Sequence, residues 1–211
     1  MDIAIPIFDK LTALDAIGPY EVLSRLPGAT VTFVAAEPGP KRTENGMLAL
    51  VADRALSELT EPDVIVVPGG FGTRPLASDE EMLDWLRHAH EHSTWTTSVC
   101  TGSLLLAAAG ILNGLKATTH WLQLELLRPY GVTPVGDERI VREGKIITAA
   151  GVSAGIDMAL MLAAEIAGAE IAQGIQLGIE YDPDPPFKGG SIHSSPPEIV
   201  ELVRRRADEL A

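Results

Sequence analysis

Residues 94–103 read TWTTSVCTGS, in which a β-branched run leads into a turn of small residues. The run from Thr94 to Val99 predicts a strand, and the residues from Gly102 to Ala109 predict a short helix. Cys100 lies between them, at the strand-to-helix turn. Ligands of open α/β sheets bind beyond the carboxyl ends of the strands, so the sequence predicts a functional site around Cys100.

Short apolar runs and longer amphipathic segments alternate along the rest of the chain. The other predicted strands are Ile3–Phe8, Thr30–Ala36, Val64–Val67, Ala117–Thr119 and a hairpin within Glu138–Thr148. The other predicted helices are Leu14–Leu26, a helix from an N-cap at Ser78 (with Glu81 completing a capping box) through His92, Trp121–Leu127, Ser153–Ala167, Ile171–Tyr181 and a last helix after Ser195. This alternation predicts an α/β fold with a mainly parallel central sheet, formed by residues 1–211 as a single domain.

The composition excludes several classes of partner. Lysine and arginine total 16 against 29 aspartates and glutamates, a formal net charge of −13. Such an acidic surface repels phosphate backbones and anionic lipids, so neither nucleic acid nor a membrane is an expected partner. Hydrophobic residues make up 46% of the chain and aromatic residues 5%, which predicts a large aliphatic core.

Cysteine usage and the start of the chain indicate the compartment. A single cysteine excludes an intrachain disulfide framework and is typical of a reducing environment. Residues 1–7, MDIAIPI, contain no basic leader and no apolar stretch of signal length. No segment has the roughly 20 apolar residues of a membrane helix. The expected location is the cytoplasm.

Cys100 is the candidate nucleophile. A thiol at this turn lies close to the amides of a helix N-terminus, whose partial positive charge favours the thiolate. The turn is similar to a nucleophile elbow, with Ser98 where the hydrolase motif has glycine. A lone cysteine in an apolar stretch is also typical of a buried core residue, so these residues alone leave both interpretations open.

Six segments favour the functional interpretation. They are LDAIGPYEVL (14–23), VPGG (67–70), SVCTGS (98–103), ATTHW (117–121), TAAGVSAGID (148–157) and EYDPDPPF (180–187). Together they span nearly the whole chain and resemble the ThiJ/PfpI superfamily of class I glutamine amidotransferase-like proteins. Within that superfamily they are most similar to the isonitrile hydratases.

The resemblance implies a flavodoxin-like three-layer sandwich, a homodimer and a nucleophile at Cys100. It also implies that an acidic residue after the first strand reaches the sulfur, and that residue is Asp15. Many superfamily members have glutamate there, whereas aspartate matches the isonitrile hydratases. Protease-like members have histidine directly after the cysteine, so Thr101 argues against a cysteine–histidine hydrolase.

The implied reaction adds water to an isonitrile and gives an N-substituted formamide. The Cys100 thiolate attacks the isonitrile carbon while Asp15 acts as general acid, and water then releases the product from a thioimidate. Thr101 is expected to hold the water or the substrate nitrogen, and the Gly70 and Thr101 amides to stabilise developing charge. This chemistry requires no metal and no organic cofactor.

Each candidate residue also has a structural interpretation. Asp15 suits a helix N-cap, and the Thr101 hydroxyl suits the cap of the following helix. Gly69 and Gly70 line the pocket or make only a tight turn. His120 follows a predicted strand and either faces the same crevice, where it would bind substrate, or is a structural histidine.

Two further patterns have structural and functional interpretations. His88, His90 and His92 are spaced for metal binding, but without a cysteine or carboxylate pair nearby in sequence they predict a solvated helix face and no metal site. The segment Asp182–Phe187 predicts a surface loop, and its match to the superfamily leaves open a role in covering the pocket or a partner subunit.

Other functions fit parts of the same sequence. A glyoxalase-like or deglycase-like enzyme acting on reactive carbonyls would use the same cysteine and acid. A redox-sensing or regulatory domain would use only an oxidisable thiol. The sensory domain of a transcription regulator would need a helix-turn-helix module, and the residues after Pro197 leave room for a single helix.

Overall fold

The computed structural model describes the backbone of residues 1–209 and the side chains of residues 1–207. Its strands are β1 (Asp2–Pro6), β2 (Thr30–Ala35), β3 (Gly39–Arg42), β4 (Ala49–Ala52), β5 (Arg54–Ala55), β6 (Val64–Val67), β7 (Trp95–Val99), β8 (Lys116–Ala117), β9 (Thr133–Pro134), β10 (Ile140–Glu143) and β11 (Ile146–Ala149).

The helices agree closely with the predicted pattern. They are α1 (Ala13–Leu23), α2 (Thr73–Leu76), α3 (Glu80–His92), α4 (Gly102–Ala108), α5 (Ala154–Ala167), α6 (Ala169–Gly178) and α7 (Pro197–Glu209). Two 3-10 segments, Leu56–Glu58 and Trp121–Tyr130, complete the set within the described residues. The second replaces the predicted α-helix at 121–127 and ends at Gly131 in the left-handed conformation.

The central sheet is mostly parallel. In the described part of the chain it has seven strands in the order β10-β11-β7-β6-β1-β2-β5, with only the β10–β11 hairpin antiparallel. Helices α1, α5 and α6 pack together in one layer, and α4 packs against α2 and α3 in another. The predicted α/β sandwich with a mainly parallel sheet is confirmed.

The strand order creates a switch point beside β1. From β1 the chain first proceeds to β2 on one side, then returns to place β6 on the other side and continues outward to β7. Crevices beyond the carboxyl ends of the strands at such points are where α/β sheets bind ligands. Asp15, Gly69 and Cys100 follow β1, β6 and β7, so the topology brings them to one edge of the sheet.

The core is aliphatic, as the composition predicts. Every residue of β6 is inaccessible to solvent, and so are Ile3, Ala4 and Ile5 of β1. Complete burial on both faces explains why these strands are continuous apolar runs rather than alternating patterns.

Gly18 and Pro19 lie inside α1, where both residues are ordinarily unfavourable. A Cβ atom at Gly18 would come within 3.0 Å of the Ile156 side chain, so glycine permits the close packing of α1 on α5. The structure shows that α1 begins at Ala13 and continues through the proline.

Two local predictions were wrong. The N-cap of α3 is Asp79 rather than Ser78, and its carboxylate accepts the Met82 amide at 3.0 Å. The predicted strand at 117–119 is limited to β8, Lys116–Ala117. The β3–β4 hairpin was not predicted, because its strand Gly39–Arg42 contains no apolar side chain except that of Pro40.

The chain divides into two compact units, residues 1–179 and 180–211. The first unit contains the sheet and α1 to α6, and the described part of the second contains a loop and α7. The single domain expected for residues 1–211 stays a prediction. Among the described residues, no helix combines the length and apolar character that a membrane span requires.

Candidate active site

Cys100 lies at a constrained strand-to-helix turn between β7 and α4. Its φ angle is 55°, in the left-handed region that residues other than glycine seldom adopt. Its backbone N–H lies 3.1 Å from the Ala149 carbonyl and 2.9 Å from the Ala150 carbonyl, both at the end of neighbouring β11. These contacts hold the backbone in a costly conformation, and such strain is found most often at functional sites.

The turn packs tightly because Gly102 has no side chain. A Cβ atom there would overlap the Val67 carbonyl oxygen and lie 2.8 Å from the carbonyl carbon. Glycine therefore lets the start of α4 rest directly on the end of β6, which fixes the position of Cys100 beside Pro68 and Gly69.

We expect Gly102→Ala to lower the free energy of unfolding by about 1–3 kcal/mol or more, since the methyl group meets rigid backbone. Urea denaturation measures the change. Gly174→Ala is the matched control, because Gly174 lies in α6 with nothing within 4 Å of its Cβ position. That control gains about 0.5–1 kcal/mol from helix propensity. Equal stability of the Gly102→Ala variant and the native chain would contradict the proposed packing.

Asp15 is fully buried in the first turn of α1. It is not the helix N-cap, which is Thr12. Its Oδ2 accepts the Gly69 amide at 3.0 Å, while Oδ1 has no hydrogen-bond partner among the described residues. A buried carboxyl oxygen without a partner is costly in a fold, and such a group is typical of a functional site.

Cys100 and Asp15 influence each other's protonation. Burial raises the pKa of Asp15 to about 7, and this outweighs the lowering by the Gly69 amide and by the Cys100 thiol. The negative charge of Glu44 raises it further.

Burial also raises the pKa of the Cys100 thiol above its usual range, and the charge of Asp15 adds to this effect. The amides of Thr101 and Val152 lower the pKa but do not compensate. The lowered thiol pKa expected from the helix N-terminus is wrong, because burial dominates. The pair therefore resists losing both protons and retains one proton near neutral pH.

Thr101 and the two glycines position this pair. The Thr101 Oγ1 accepts the Gly70 amide at 2.8 Å and contacts the Gly70 carbonyl at 3.2 Å, and it makes no cap to α4. A Cβ atom at Gly69 would lie 2.5 Å from the Thr101 nitrogen and 2.9 Å from Asp15 Oδ2. The amides of Gly69 and Gly70 are thus engaged by Asp15 and Thr101 instead of being directed towards a ligand.

His120 is half-buried. Its Nδ1 accepts the Leu122 amide at 3.4 Å, which caps the 3-10 segment, and burial lowers its pKa. A Cβ atom at Gly151 would lie 2.7 Å from the imidazole, so the ring packs against the segment that supplies the Val152 amide to the sulfur. These contacts hold the ring in place within the fold. Burial favours the neutral form of the ring at the edge of the site.

Some site residues were missed by the sequence analysis. Thr119 donates from Oγ1 to the Cys100 carbonyl at 2.8 Å, and Val152 has a φ angle of 24°. Glu44 approaches Asp15 from the loop between β3 and β4, and accepts the Thr12 hydroxyl at 3.1 Å. Thr119 and Val152 lie within the segments that resemble the superfamily, but no sequence pattern indicates Glu44.

The residues around Cys100 do not group as metal ligands. Within residues 1–207, only one group of three or more His, Cys, Asp or Glu side chains has closely spaced ligand atoms. It consists of Glu61, His88 and His92. These three side chains are exposed, and none of them directly follows a strand whose carboxyl end borders the crevice. His90, in contrast, contacts Thr96 Oγ1 through Nδ1 at 2.8 Å and takes no part in the group.

Comparison with known proteins identifies relatives of this chain. The model of the DJ-1/PfpI family matches residues 1–165. An isonitrile hydratase from Pseudomonas putida is 44% identical over 207 residues, which cover 98% of this chain and 90% of that protein. An HTH-type transcriptional regulator, CdhR, from Pseudomonas aeruginosa is 32% identical over 80% of this chain and 50% of its own length.

Solved structures agree with this assignment. A crystal structure of a ThiJ/PfpI family protein from Pseudomonas syringae has a TM-score of 0.94 and 36% identity, covering 99% of this chain and 86% of that chain. Drosophila melanogaster DJ-1beta, 22% identical, shares the fold with a TM-score of 0.77, covering 85% of this chain and 97% of its own. The resemblance inferred from the six segments is confirmed, and the chain belongs to the DJ-1/PfpI family.

Proposed function

We propose that the protein is an isonitrile hydratase, which adds water to an isonitrile and releases an N-substituted formamide. The observation that supports this most directly is the buried Cys100–Asp15 pair at the switch point, which combines a soft nucleophile with a proton donor. The 44% identity to a Pseudomonas putida isonitrile hydratase over nearly the whole chain supports the choice of substrate.

In the first chemical step, the Cys100 sulfur and a proton both add to the terminal isonitrile carbon. The Cys100 sulfur forms the new C–S bond, while a proton passes to the same carbon from the Asp15 carboxyl. The product is a neutral thioimidate, and Asp15 is left as a carboxylate. The reaction thus needs the pair with one proton and one negative charge, which is the state reached when the pair loses the first of its two protons, near pH 7.

The second step is hydrolysis of the thioimidate. Asp15, now a carboxylate, takes a proton from water as the oxygen attacks the carbon. Asp15 returns this proton to the nitrogen and takes up the hydroxyl proton as the tetrahedral intermediate collapses to the formamide and expels Cys100 as a thiolate. The atoms balance, since one water is consumed and the enzyme returns to its starting state.

Thr101, Gly69, Gly70 and His120 act around this pair in the proposal. Thr101 holds the Gly70 backbone, and Gly69 orients the Asp15 carboxyl through its amide. The Thr101 and Val152 amides lie towards the sulfur and stabilise negative charge on it as it leaves. His120 borders the substrate and stays neutral, because burial lowers its pKa.

Turnover of two different substrates distinguishes the proposed function from an enzyme that acts on reactive carbonyls. Purified protein with reduced Cys100 is incubated with cyclohexyl isocyanide and, separately, with methylglyoxal, and the products are followed by chromatography. We expect N-cyclohexylformamide with multiple turnovers. Consumption of methylglyoxal without consumption of the isonitrile would instead support an enzyme acting on reactive carbonyls.

The pH profile tests the shared proton. Because the pair must lose one of its two protons, kcat/KM should rise with pH through about 7, the value to which burial raises the pKa of Asp15. We expect Glu44→Gln to move the midpoint to lower pH, since Glu44 raises this pKa, and to leave the plateau unchanged. A flat profile between pH 5 and 9 would be inconsistent with the proposed pair.

We further propose that the protein is a homodimer that functions in the cytoplasm. The resemblance to the ThiJ/PfpI superfamily supports the dimer, and the need to keep Cys100 reduced supports the compartment. Light scattering of the purified protein checks the first proposal, with a mass twice that of one 22.4 kDa chain expected. A monomeric mass at working concentration would contradict it.

A further inference from the structure

A second cluster of side chains lies at the opposite edge of the sheet from Cys100. Glu61 precedes β6 and is thus near its amino end, whereas Gly69 and Gly70 follow its carboxyl end. His88 and His92 lie one helical turn apart near the end of α3. Glu61 is 27 residues from His88 along the chain, so only the fold brings the three together.

The spacing of the three side chains suits a shared ion. The Nε2 atoms of His88 and His92 are 3.5 Å and 3.7 Å from Glu61 Oε1, and all three ligand atoms lie within 4.8 Å of one another. Direct hydrogen bonds would be shorter, about 2.7–3.2 Å. Two ligands of one tetrahedral zinc ion, each bonded at about 2.0–2.2 Å, are about 3.4 Å apart.

The His92 ring is already oriented for metal binding. Its Nδ1 lies 2.9 Å from the His88 backbone carbonyl. A carbonyl can only accept, so Nδ1 carries the proton and Nε2 of the neutral ring keeps its lone pair towards Glu61. A hydrogen bond from the other ring nitrogen to a carbonyl is the usual support of a metal-bound histidine.

The two elements that bear the ligands are also fixed to each other. The Trp85 indole donates to the Leu59 carbonyl at 3.0 Å and connects α3 to the loop that contains Glu61. Trp85 is itself buried, with 6% of its surface exposed. The loop is further held by Asp63, whose carbonyl accepts the Thr94 amide at 2.8 Å. This support limits the entropy cost of assembling three ligands.

We propose that Glu61, His88 and His92 form a binding site for one divalent late transition-metal ion of the zinc class. Two imidazoles and one carboxylate match the ligands that zinc accepts, whereas magnesium and calcium prefer oxygen alone. Water completes the coordination, because all three residues are exposed. The ion connects α3 to the loop before β6 and stabilises the fold, independently of the reaction at Cys100.

Zinc titration of the untagged full chain tests the site, with a Cys100→Ala version run in parallel to exclude binding by the thiol. Calorimetry should give one Zn²⁺ per chain in both proteins. Zinc at about a hundredfold excess over its dissociation constant should raise Tm by roughly 5–10 °C. Magnesium at the same concentration should leave Tm unchanged.

Variants identify the ligands. We expect His88→Ala, His92→Ala and Glu61→Gln each to weaken zinc binding by at least about tenfold, with little change in Tm without metal since all three side chains are exposed. His193→Ala is the matched control, because His193 is an exposed histidine outside the cluster. The proposal is overturned if the native chain does not bind zinc, or if the His88→Ala/His92→Ala double variant binds it as tightly. Undiminished binding by Glu61→Gln would overturn the three-ligand site.

Discussion

Cys100→Ala should abolish isonitrile turnover, with a loss in kcat of at least about 10³-fold. Without the sulfur no C–S bond to the isonitrile carbon can form, and no nearby side chain can replace it, because Cys100 is the only cysteine. Formamide production measured by chromatography gives the effect.

Cys100→Ser is the matched variant for this experiment. Both substitutions keep a Cβ atom at the φ angle of 55°, so neither changes the backbone cost of the turn. A serine hydroxyl is a much weaker nucleophile than a thiol, so it should be nearly as inactive as alanine. If either variant kept more than a small fraction of native turnover with unchanged Tm, covalent catalysis by Cys100 would be excluded.

The second large effect is expected for Asp15→Asn, which should lower kcat by about 10²–10⁴-fold. The amide has nearly the shape of the carboxyl and still accepts the Gly69 amide, but it cannot transfer a proton to the isonitrile carbon. Glu44→Gln serves as the control, because it removes a nearby exposed charge and leaves the proton donor in place. Comparable losses in both variants would show that charge, and not proton transfer, is what matters.

Asp15→Asn should also change how the free energy of unfolding depends on pH. The pKa of Asp15 is raised from 3.8 to about 7 by burial, so the fold favours the protonated carboxyl. The contribution of the protonated Asp15 carboxyl to the free energy of unfolding is fully present below about pH 4 and is lost as the pH rises through about 7. The native chain should lose up to about 1.4 kcal/mol per pH unit over that interval relative to Asp15→Asn. Urea denaturation at pH 4 to 8 measures this, and parallel curves would contradict it.

Much of the fold was predictable because its signals are local. The apolar run Val64–Val67 and the segment around Cys100 identify the central strands, and alternation with helices implies a parallel sheet. The positions of Asp15 and Cys100 after β1 and β7 then follow from topology, since parallel strands end at the same edge. Their pairing was implied by the family resemblance.

The remaining features depend on contacts between distant parts of the chain. Glu44 reaches Asp15 from a hairpin with too few apolar residues to be recognised. Glu61 joins His88 and His92 only after folding, so the histidine spacing alone was interpreted as a solvated helix face. The pKa of Cys100 was predicted in the wrong direction, because sequence shows proximity to a helix start but does not show the extent of burial.

The proposed catalysis requires that Cys100 bonds to the isonitrile carbon with a proton from Asp15. Rapid mixing with cyclohexyl isocyanide, acid quench and intact-protein mass spectrometry test it directly. We expect an adduct heavier by one isonitrile, located on the peptide that contains Cys100, which forms much more slowly in Asp15→Asn. Formamide production without any adduct on that peptide, or with full activity in Cys100→Ala, would exclude covalent catalysis by Cys100.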